Sequence, residues 1–547
     1  MLSLSRGGSD AVVVREFDVV KREFVAGGFQ LPEGKNYANW RARDELFVGA
    51  DFGPRSYTTS GYPRIVKLWK RGTPLSSAKL LFEGKDTDVM ASGHVSEEPG
   101  FRREFVTRGI DFYSWEYRLL EGRKLKKLDV PLDAQISSFH DQILVTLRGD
   151  WKVSSKKTYP NGSLLAMPWN AFLKGKRDFK FLYSPNPRGS LGSVQATRNY
   201  LIVNELDNVR SKMYTLSMKE GKWYRTSLPI PSDGAVGAAP VDEFESDDYF
   251  LTVNDFVTPN SLYYGTVGKP KYDLLKQLPS YFNADGLQVT QHEAVSKDGT
   301  RVPYFQVAKR DIVLDGSNPT LLSGYGGFEV SSRPSYSAGV GAAWLERGGV
   351  YILANIRGGG EFGPQWHQAA VKENRQRAYD DFIAIAEDLI ARKVTTTPHL
   401  GIIGGSNGGL LMGVMLTQRP DLFGAIVSQA PLLDMHRYHK LLAGASWMGE
   451  YGDPDKSDEW AYISKYSPYQ NLRKDGKYPR VLFTTSTRDD RVHPGHARKM
   501  AAKMLEQGHD FLYYENIEGG HGGAANSAQQ AYMNALAYTF LWKELRK

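Results

Sequence analysis

A serine set among glycines is the feature of the sequence that points most directly to chemistry. Ser406 lies in the run Gly-Gly-Ser-Asn-Gly-Gly at 404–409, between an apolar stretch at 400–403 and a small-residue stretch that follows. These stretches predict a buried strand and a helix, so the chain must turn sharply at the serine, and glycine tolerates such a turn. The setting is typical of a serine nucleophile. With 55 glycines in the chain, an ordinary glycine-rich loop is the favoured explanation of the pattern until partners are found.

A serine hydroxyl needs two partners before it is nucleophilic at neutral pH. An imidazole must take its proton, and a carboxylate must fix the imidazole tautomer and stabilise its charged form. Asp489 and Asp490 lie in the loop after a predicted strand, and His521 lies among four glycines after the next one. The order Ser, Asp, His is that of α/β-hydrolases. We therefore expect Ser406, His521 and one of the two aspartates to form a catalytic triad at the carboxyl edge of a parallel sheet.

Acyl transfer also requires donors that stabilise the oxyanion of the tetrahedral intermediate. The backbone N–H of Asn407, next to the serine, is one donor by position. A second could come from the loop Gly-Tyr-Gly-Gly-Phe at 324–328, which by itself reads equally well as a plain turn.

The elements that must position these residues divide the chain into two parts. Up to about residue 275, short β-rich runs broken by turns recur every 35 to 60 residues, which favours a degenerate β-propeller. After about residue 280, strands, loops and helices alternate, as in a parallel sheet covered by helices. We predict a propeller at 1–280 and a catalytic α/β domain at 281–547. Its predicted strands are 320–323, 349–354, 400–403, 425–428, 480–484 and 511–514, and its predicted helices are 378–391, 409–418, 496–507 and 527–545.

Composition excludes several classes of function. The chain of 547 residues has no cysteine, which excludes disulfides, thiolate metal sites and a cysteine nucleophile. Its net charge of +8 arises from interspersed charges without a long basic run, so we expect no nucleic-acid partner. No apolar stretch is long enough for a membrane span and no signal peptide opens the sequence, so we expect no membrane association and a cytoplasmic location. We also expect no cofactor and no metal.

With these motifs the sequence resembles the prolyl oligopeptidase family of serine peptidases. The resemblance runs along nearly the whole C-terminal half and includes the nucleophile run, the loop at 324–328 and the loops that carry Asp489 and His521. The matching motifs lie at 296–300, 324–328, 354–361, 404–411, 418–424, 465–468, 489–492 and 520–522.

The resemblance implies a role for each site residue. Ser406 would be the nucleophile, Asp489 rather than Asp490 the orienting acid, and His521 the general base. Tyr325 and the Asn407 amide would form the oxyanion hole. Trp447 would stack on the proline ring of a short peptide, and the remaining pocket residues implied by the resemblance are Phe328, Tyr451, Arg491 and Val492. The implied reaction is hydrolysis on the carboxyl side of proline through an acyl-enzyme. The sequence does not determine the oligomeric state, and a monomer is favoured.

The resemblance also implies a seven-bladed propeller, and here the sequence departs from the family. About 140 family residues are missing at the N-terminal side, which leaves about five complete blades and predicts an incomplete propeller on a shortened chain. If the true N-terminus lies upstream, a periplasmic location is the alternative.

Four alternative functions are compatible with parts of the sequence. An esterase or acylaminoacyl peptidase would use the same triad, and a propeller fragment without catalysis would act only by binding.

The run Gly-Gly-Gly-Glu-Phe-Gly at 358–363 fits a dinucleotide-binding pattern, but Glu361 would occupy the pyrophosphate position. His436 and His439 are three apart on a predicted helix, yet no supporting carboxylate is apparent, which favours a solvated helix face over a metal site.

Overall fold

The computed structural model describes residues 1–232 and 234–546, and its N-terminal part is a β-propeller. A three-stranded sheet and a small hairpin come first, and five four-stranded antiparallel sheets follow within the described residues. The first strands are β1 (Leu2–Ser5), β2 (Val12–Arg15), β3 (Phe17–Asp18), β4 (Glu23–Phe24) and β5 (Gln30–Gly34). The first two four-stranded sheets contain β6 (Tyr37–Ala42), β7 (Glu45–Gly49), β8 (Ile65–Lys70) and β9 (Lys79–Glu83), then β10 (Met90–Ser96), β11 (Arg103–Gly109), β12 (Trp115–Glu121) and β13 (Lys124–Lys127).

The remaining sheets of the propeller repeat this antiparallel order. The third is interrupted by a two-stranded excursion, β16 with β17, and by one short helix. Its elements are β14 (Gln135–Phe139), β15 (Gln142–Thr146), β16 (Trp151–Ser154), β17 (Lys157–Tyr159), β18 (Leu164–Pro168), α1 (Trp169–Leu173) and β19 (Lys180–Tyr183). The last two contain β20 (Gly189–Ala196), β21 (Leu201–Asp207), β22 (Arg210–Lys219) and β23 (Lys222–Leu228), then β24 (Ala235–Pro240), β25 (Asp248–Asn254), β26 (Ser261–Thr266) and β27 (Tyr272–Gln277).

Neighbouring sheets of the propeller share hydrophobic cores, which explains the short apolar runs of its sequence. Leu144 and Ala166 of one sheet pack with Leu201 and Tyr214 of the next. Each sheet therefore buries residues on both faces against its neighbours, as stacked repeats do.

The C-terminal part is built on one eight-stranded sheet. Its order is β28-β29-β31-β30-β32-β33-β34-β35, and the strands from β31 to β35 run parallel. The strands are β28 (Leu287–Val295), β29 (Arg301–Lys309), β30 (Thr320–Ser323), β31 (Val350–Ala354), β32 (Leu400–Gly405), β33 (Ala425–Gln429), β34 (Arg480–Ser486) and β35 (Phe511–Asn516). The helices are α2 (Ala338–Val340), α3 (Pro364–Gln368), α4 (Gln376–Ala391), α5 (Asn407–Gln418), α6 (Met448–Tyr451), α7 (Ser457–Ile463), α8 (Pro468–Asn471), α9 (Gly495–Gln507) and α10 (Ser527–Leu545).

Helices cover both faces of this sheet. One face packs against α4, α5 and α9, and the other packs against α10 through Ala537, Leu541 and Leu545. Burial on both faces explains why the parallel strands are continuous apolar runs without alternation. The antiparallel hairpin of β28 and β29 was not among the predicted strands, because polar residues such as Gln288 and Gln306 interrupt its apolar pattern.

None of the helices in the part of the chain that the structure describes combines the length and the apolar character required to cross a membrane.

Candidate active site

Ser406 lies at the turn between β32, in the middle of the sheet, and α5. Its backbone has φ 58° and ψ −118°, a conformation that few residues other than glycine adopt. The N–H of Ser406 donates to the carbonyl of Gln429 on β33 at 2.8 Å, which anchors the turn. A Cβ at Gly404 would come within 2.5 Å of the Gly408 carbonyl oxygen, so the turn closes only with glycine there. The serine hydroxyl is thereby held at the carboxyl edge of the sheet.

The other two predicted triad residues lie in the loops that follow β34 and β35, on the same edge of the sheet. The His521 Nε2 lies 3.1 Å from the Ser406 Oγ, and the His521 Nδ1 lies 2.8 Å from the Asp489 Oδ2. The other carboxylate oxygen of Asp489 accepts the backbone N–H groups of Arg491 at 3.0 Å and of Val492 at 2.9 Å. Both oxygens of Asp489 are therefore occupied, and the imidazole can present an unprotonated Nε2 to the serine.

Asp490 has a different set of contacts from Asp489. Its carboxylate accepts the backbone N–H groups of Asp10 at 2.8 Å and of Ala11 at 3.0 Å, both in the N-terminal segment. The structure thus brings Asp489 to His521 and directs Asp490 to the propeller.

Asn407 follows the serine in the chain, and Tyr325 lines the same cavity as Ser406. Burial raises the pKa of Tyr325, so its hydroxyl keeps its proton at neutral pH. Asn407 is the first residue of α5, so its N–H has no acceptor within the helix and lies at the positive end of the helix dipole. Both groups can donate to an oxygen that develops negative charge beside Ser406.

A cavity of about 980 Å³ opens beside the serine, and both domains form its walls. Trp447, Tyr451, Phe328 and Arg491 line it on the side of the parallel sheet. The propeller contributes an aromatic and apolar wall that includes Tyr62, Met90, Phe112, Trp115, Tyr117 and Ile136.

Two of the predicted pocket residues, Arg491 and Val492, have contacts within the protein that the sequence did not indicate. The Arg491 guanidinium forms two hydrogen bonds with the Asp10 carboxylate, at 3.0 and 2.7 Å. Val492 lies outside the cavity lining, with only 2% of its surface exposed, and contributes its N–H to Asp489.

The aromatic residues of the pocket pack edge to face. The rings of Phe328 and Tyr451 are 5.7 Å apart with an interplanar angle of 85°, and Phe112 from the propeller lies 5.1 Å from Phe328. Trp447 is 8% exposed, so its indole is fixed in the wall of the cavity. Such a rigid, flat surface suits a flat apolar ring.

The predicted helix around His436 and His439 is a single 3₁₀ turn at Tyr438–Lys440, and carboxylates that were not apparent from the sequence lie beside His439. The ligand atoms of His439, Asp453 and Asp455 lie within 4.8 Å of one another. Because the Asp455 carboxylate is paired with the Lys440 ammonium at 2.8 Å, we interpret the cluster as an ion-pair network.

Sequence reasoning missed Glu450, Arg375 and Asp10, each of which contacts a predicted site residue. Glu450 and Arg375 form a buried ion pair at 2.7 Å although they are 75 positions apart. Asp10 and Arg491 are 481 positions apart. No local spacing pattern connects such pairs; the only available signal was the charge of Glu450 inside the otherwise apolar run at 447–451.

Comparison with known proteins gives consistent matches over both parts of the chain. Residues 334–547 match the profile described as the prolyl oligopeptidase family, and residues 1–278 match that of the prolyl oligopeptidase N-terminal beta-propeller domain. An uncharacterized peptidase of Sinorhizobium fredii is 44% identical over all of this chain and 76% of its own length. A prolyl endopeptidase of Elizabethkingia miricola is 34% identical over 60% of this chain and 46% of its own length.

A solved structure has the same fold throughout. The structure of a post-proline cleaving enzyme from Rickettsia typhi superposes with a TM-score of 0.93 at 34% identity, covering 100% of this chain and 81% of that one.

Proposed function

The chain belongs to the prolyl oligopeptidase family of serine peptidases, and we propose that it cleaves short peptides on the carboxyl side of proline through an acyl-enzyme on Ser406. The observation that carries the proposal is the connected arrangement of Ser406, His521 and Asp489 beside a cavity that Ser406 and Trp447 line. A relative named prolyl endopeptidase matches 60% of this chain, and the solved post-proline cleaving enzyme matches all of it.

The proposed mechanism uses groups already in contact. His521 takes the proton of Ser406 as the hydroxyl oxygen attacks the prolyl carbonyl carbon, and Asp489 stabilises the resulting imidazolium. The Tyr325 hydroxyl and the Asn407 N–H donate to the carbonyl oxygen as it becomes negative. His521 then gives the proton to the leaving amine, and a water molecule activated by the same imidazole hydrolyses the ester.

The charges of the cavity favour a neutral side chain at the cleavage site. Among its described lining residues the only carboxylate is that of Asp10, which is paired with Arg491. Glu450 lies behind the wall, fully buried and paired with Arg375. A pocket for lysine or arginine would instead present an available carboxylate. The paired carboxylates thus disfavour lysine and arginine, and the flat indole of Trp447 supports proline as the preferred residue.

Steady-state kinetics with three matched substrates test this proposal. Blocked dipeptide 4-nitroanilides ending in proline, alanine and arginine are compared on the wild-type protein, Ser406→Ala and Trp447→Ala. We expect the highest kcat/KM for proline, and no turnover by Ser406→Ala. Proline exceeds alanine by two methylene groups, each worth about 0.8 kcal/mol when buried. Trp447→Ala should therefore reduce the proline-to-alanine ratio roughly tenfold.

The ratio separates specificity from folding, since a partly unfolded variant loses activity on both substrates alike. Faster cleavage after arginine, or turnover that survives Ser406→Ala, would contradict the proposal.

A further inference from the structure

The carboxylate of Glu450 is buried behind the cavity, and four groups from different parts of the chain contact it. Its Oε1 accepts from the Arg375 Nη1 at 2.7 Å and from the Phe328 N–H at 3.1 Å. Its Oε2 accepts from the Tyr113 hydroxyl and lies 2.7 Å from the His367 Nε2. Burial by itself would raise the pKa of Glu450, but the contacts with His367 and Arg375 hold it below its ordinary value. Glu450 is thus a fully satisfied anion inside the protein.

Arg375 connects this anion to the residue that follows the nucleophile. Its Nη2 donates to the Asn407 Oδ1 at 2.7 Å, and the Tyr451 hydroxyl donates to the same oxygen at 2.7 Å. The Asn407 Nδ2 donates to the Tyr325 carbonyl at 2.7 Å. Because a guanidinium only donates and a carbonyl only accepts, the orientation of the amide is determined. The Asn407 side chain therefore fixes both oxyanion donors: its own N–H and the loop that carries Tyr325.

The propeller supplies part of this arrangement. Tyr113 lies between β11 and β12, where its N–H donates to the Asp111 carboxylate at 2.8 Å, and its neighbour Phe112 lines the cavity. The Arg148 guanidinium lies 3.8 Å from the Tyr113 ring and also donates to the His367 Nδ1. With Nδ1 acting as acceptor, the His367 proton lies on Nε2 and is donated to Glu450. Two propeller residues thus complete the surroundings of Glu450.

We propose that Glu450 and Arg375 are positioning residues for the oxyanion hole, and that the propeller completes their geometry through Tyr113. This inference rests on the proposed function, because it concerns the oxyanion formed when Ser406 attacks. Donors aimed at developing charge lose effect when displaced by a fraction of an ångström. Loosening Glu450 should therefore reduce kcat more than it changes KM.

The substitution Tyr113→Phe tests the proposal with little risk to folding, because it removes one hydroxyl and keeps the ring over Arg148. A hydrogen bond to a charged group typically accounts for a factor of about ten or more. We expect kcat on the prolyl substrate to fall about tenfold while KM stays within twofold. The matched control is Tyr159→Phe, a buried propeller tyrosine whose hydroxyl is hydrogen-bonded to the Arg177 carbonyl and to the Phe179 backbone.

Two inhibitors distinguish positioning of the oxyanion hole from a general structural effect. A peptide aldehyde ending in prolinal forms a tetrahedral adduct with the serine and places an oxygen in the oxyanion hole. Its inhibition constant should rise about tenfold in Tyr113→Phe. The product peptide ending in a proline carboxylate forms no such adduct, and its constant should stay within twofold. Equal kcat and equal aldehyde affinity in Tyr113→Phe and wild type would overturn the inference.

The rate at which a fluorophosphonate modifies Ser406 keeps this test independent of proline specificity. If the wild type is labelled but does not prefer proline, a tenfold slower labelling of Tyr113→Phe still supports the inference while the proposed specificity fails. Labelling at the same rate overturns it. A wild type that is neither labelled nor active overturns both proposals.

The second variant, Arg375→Lys, keeps a cation beside Glu450 but lacks the fork that reaches Glu450 and Asn407 together. It should lower kcat by at least as much as Tyr113→Phe, measured on protein whose melting midpoint shows that it is folded. A folded Arg375→Lys protein with the kcat of the wild type would also overturn the inference.

Discussion

At the scale of single residues, the contacts of Asp489 assign its two oxygens to different partners, and this predicts the effect of Asp489→Asn. The N–H groups of Arg491 and Val492 hold one oxygen, so the amide oxygen of asparagine would take that place and its NH₂ would face the His521 Nδ1. The imidazole proton would then move to Nε2, and the base would be lost. We expect kcat to fall on the order of 10⁴-fold, measured on the prolyl 4-nitroanilide.

Asp490→Asn is the matched control, because it changes the neighbouring carboxylate, which contacts the Asp10 and Ala11 backbone. Its kcat should remain within a few-fold of the wild type. If Asp490→Asn were the more damaging substitution, the assignment of the orienting acid to Asp489 would be wrong.

At the scale of elements, the turn between β32 and α5 depends on glycine at one position and not at its neighbour. A Cβ at Gly404 would meet the Gly408 carbonyl oxygen at 2.5 Å, whereas the nearest atoms to a Cβ at Gly405 lie 3.8 Å away on Gln429. Gly404→Ala should therefore lower the free energy of unfolding by about 1–3 kcal/mol, and it should slow the labelling of Ser406. Thermal unfolding monitored by circular dichroism measures the first effect.

Gly405→Ala serves as the control and should change the melting temperature little. Equal destabilisation by the two substitutions would show that the close approach at Gly404 does not limit the turn.

The loop after β31 contains a buried acid that makes stability depend on pH. Burial raises the pKa of Glu361 from 4.5 to about 7, because only one of its oxygens is hydrogen-bonded, to the Ser332 N–H at 2.8 Å and the Asn355 amide at 3.5 Å. Between these pH values the folded protein holds a proton that the unfolded chain has lost. The contribution of Glu361 to stability is therefore largest below pH 4.5 and decreases as the pH rises to about 7.

Glu361→Gln should remove this dependence. Relative to the wild type, the variant should be more stable at pH 8 by on the order of 3 kcal/mol, and the difference should vanish near pH 4. Melting temperatures across this range give the comparison, with the exposed Glu373→Gln as control. A constant difference at all pH values would contradict the role assigned to Glu361.

At the scale of the whole molecule, the N-terminal segment is attached to the loop that carries Asp489. Burial by itself would raise the pKa of Asp10, but its hydrogen bonds with Arg491 and the charge of Lys35 hold it below its ordinary value. Asp10→Asn removes this ion pair across the two domains. We expect faster amide hydrogen exchange in β2 and around 489–492, measured by mass spectrometry.

A surface pair in the same segment provides the control. Arg6 and Glu33 are 3.9 Å apart and largely exposed, and such pairs contribute little to stability. Arg6→Gln should leave exchange in these segments unchanged. Similar effects of the two substitutions would mean that the Asp10–Arg491 pair does not attach the segment.

Much of the catalytic domain could be predicted because its signals are local. The strand at β32, the helix α5 and the order of Ser406, Asp489 and His521 follow from apolar runs, glycines and turn positions within short windows. Burial of Glu450 with Arg375 joins residues 75 positions apart, and only the folded chain brings them together. The contacts of Tyr113 and Asp10 with the catalytic domain depend on how the propeller packs, for which the sequence pattern has no local counterpart.

Cleavage after proline by Ser406 is tested most directly by a map of the cleavage positions in one defined peptide. The peptide contains a single internal proline, alanine, lysine and arginine, and mass spectrometry identifies the products formed by the wild type and by Ser406→Ala. We expect one early product ending in proline from the wild type and an intact peptide with Ser406→Ala. Early cleavage after another residue, or the same products with Ser406→Ala, would contradict this expectation.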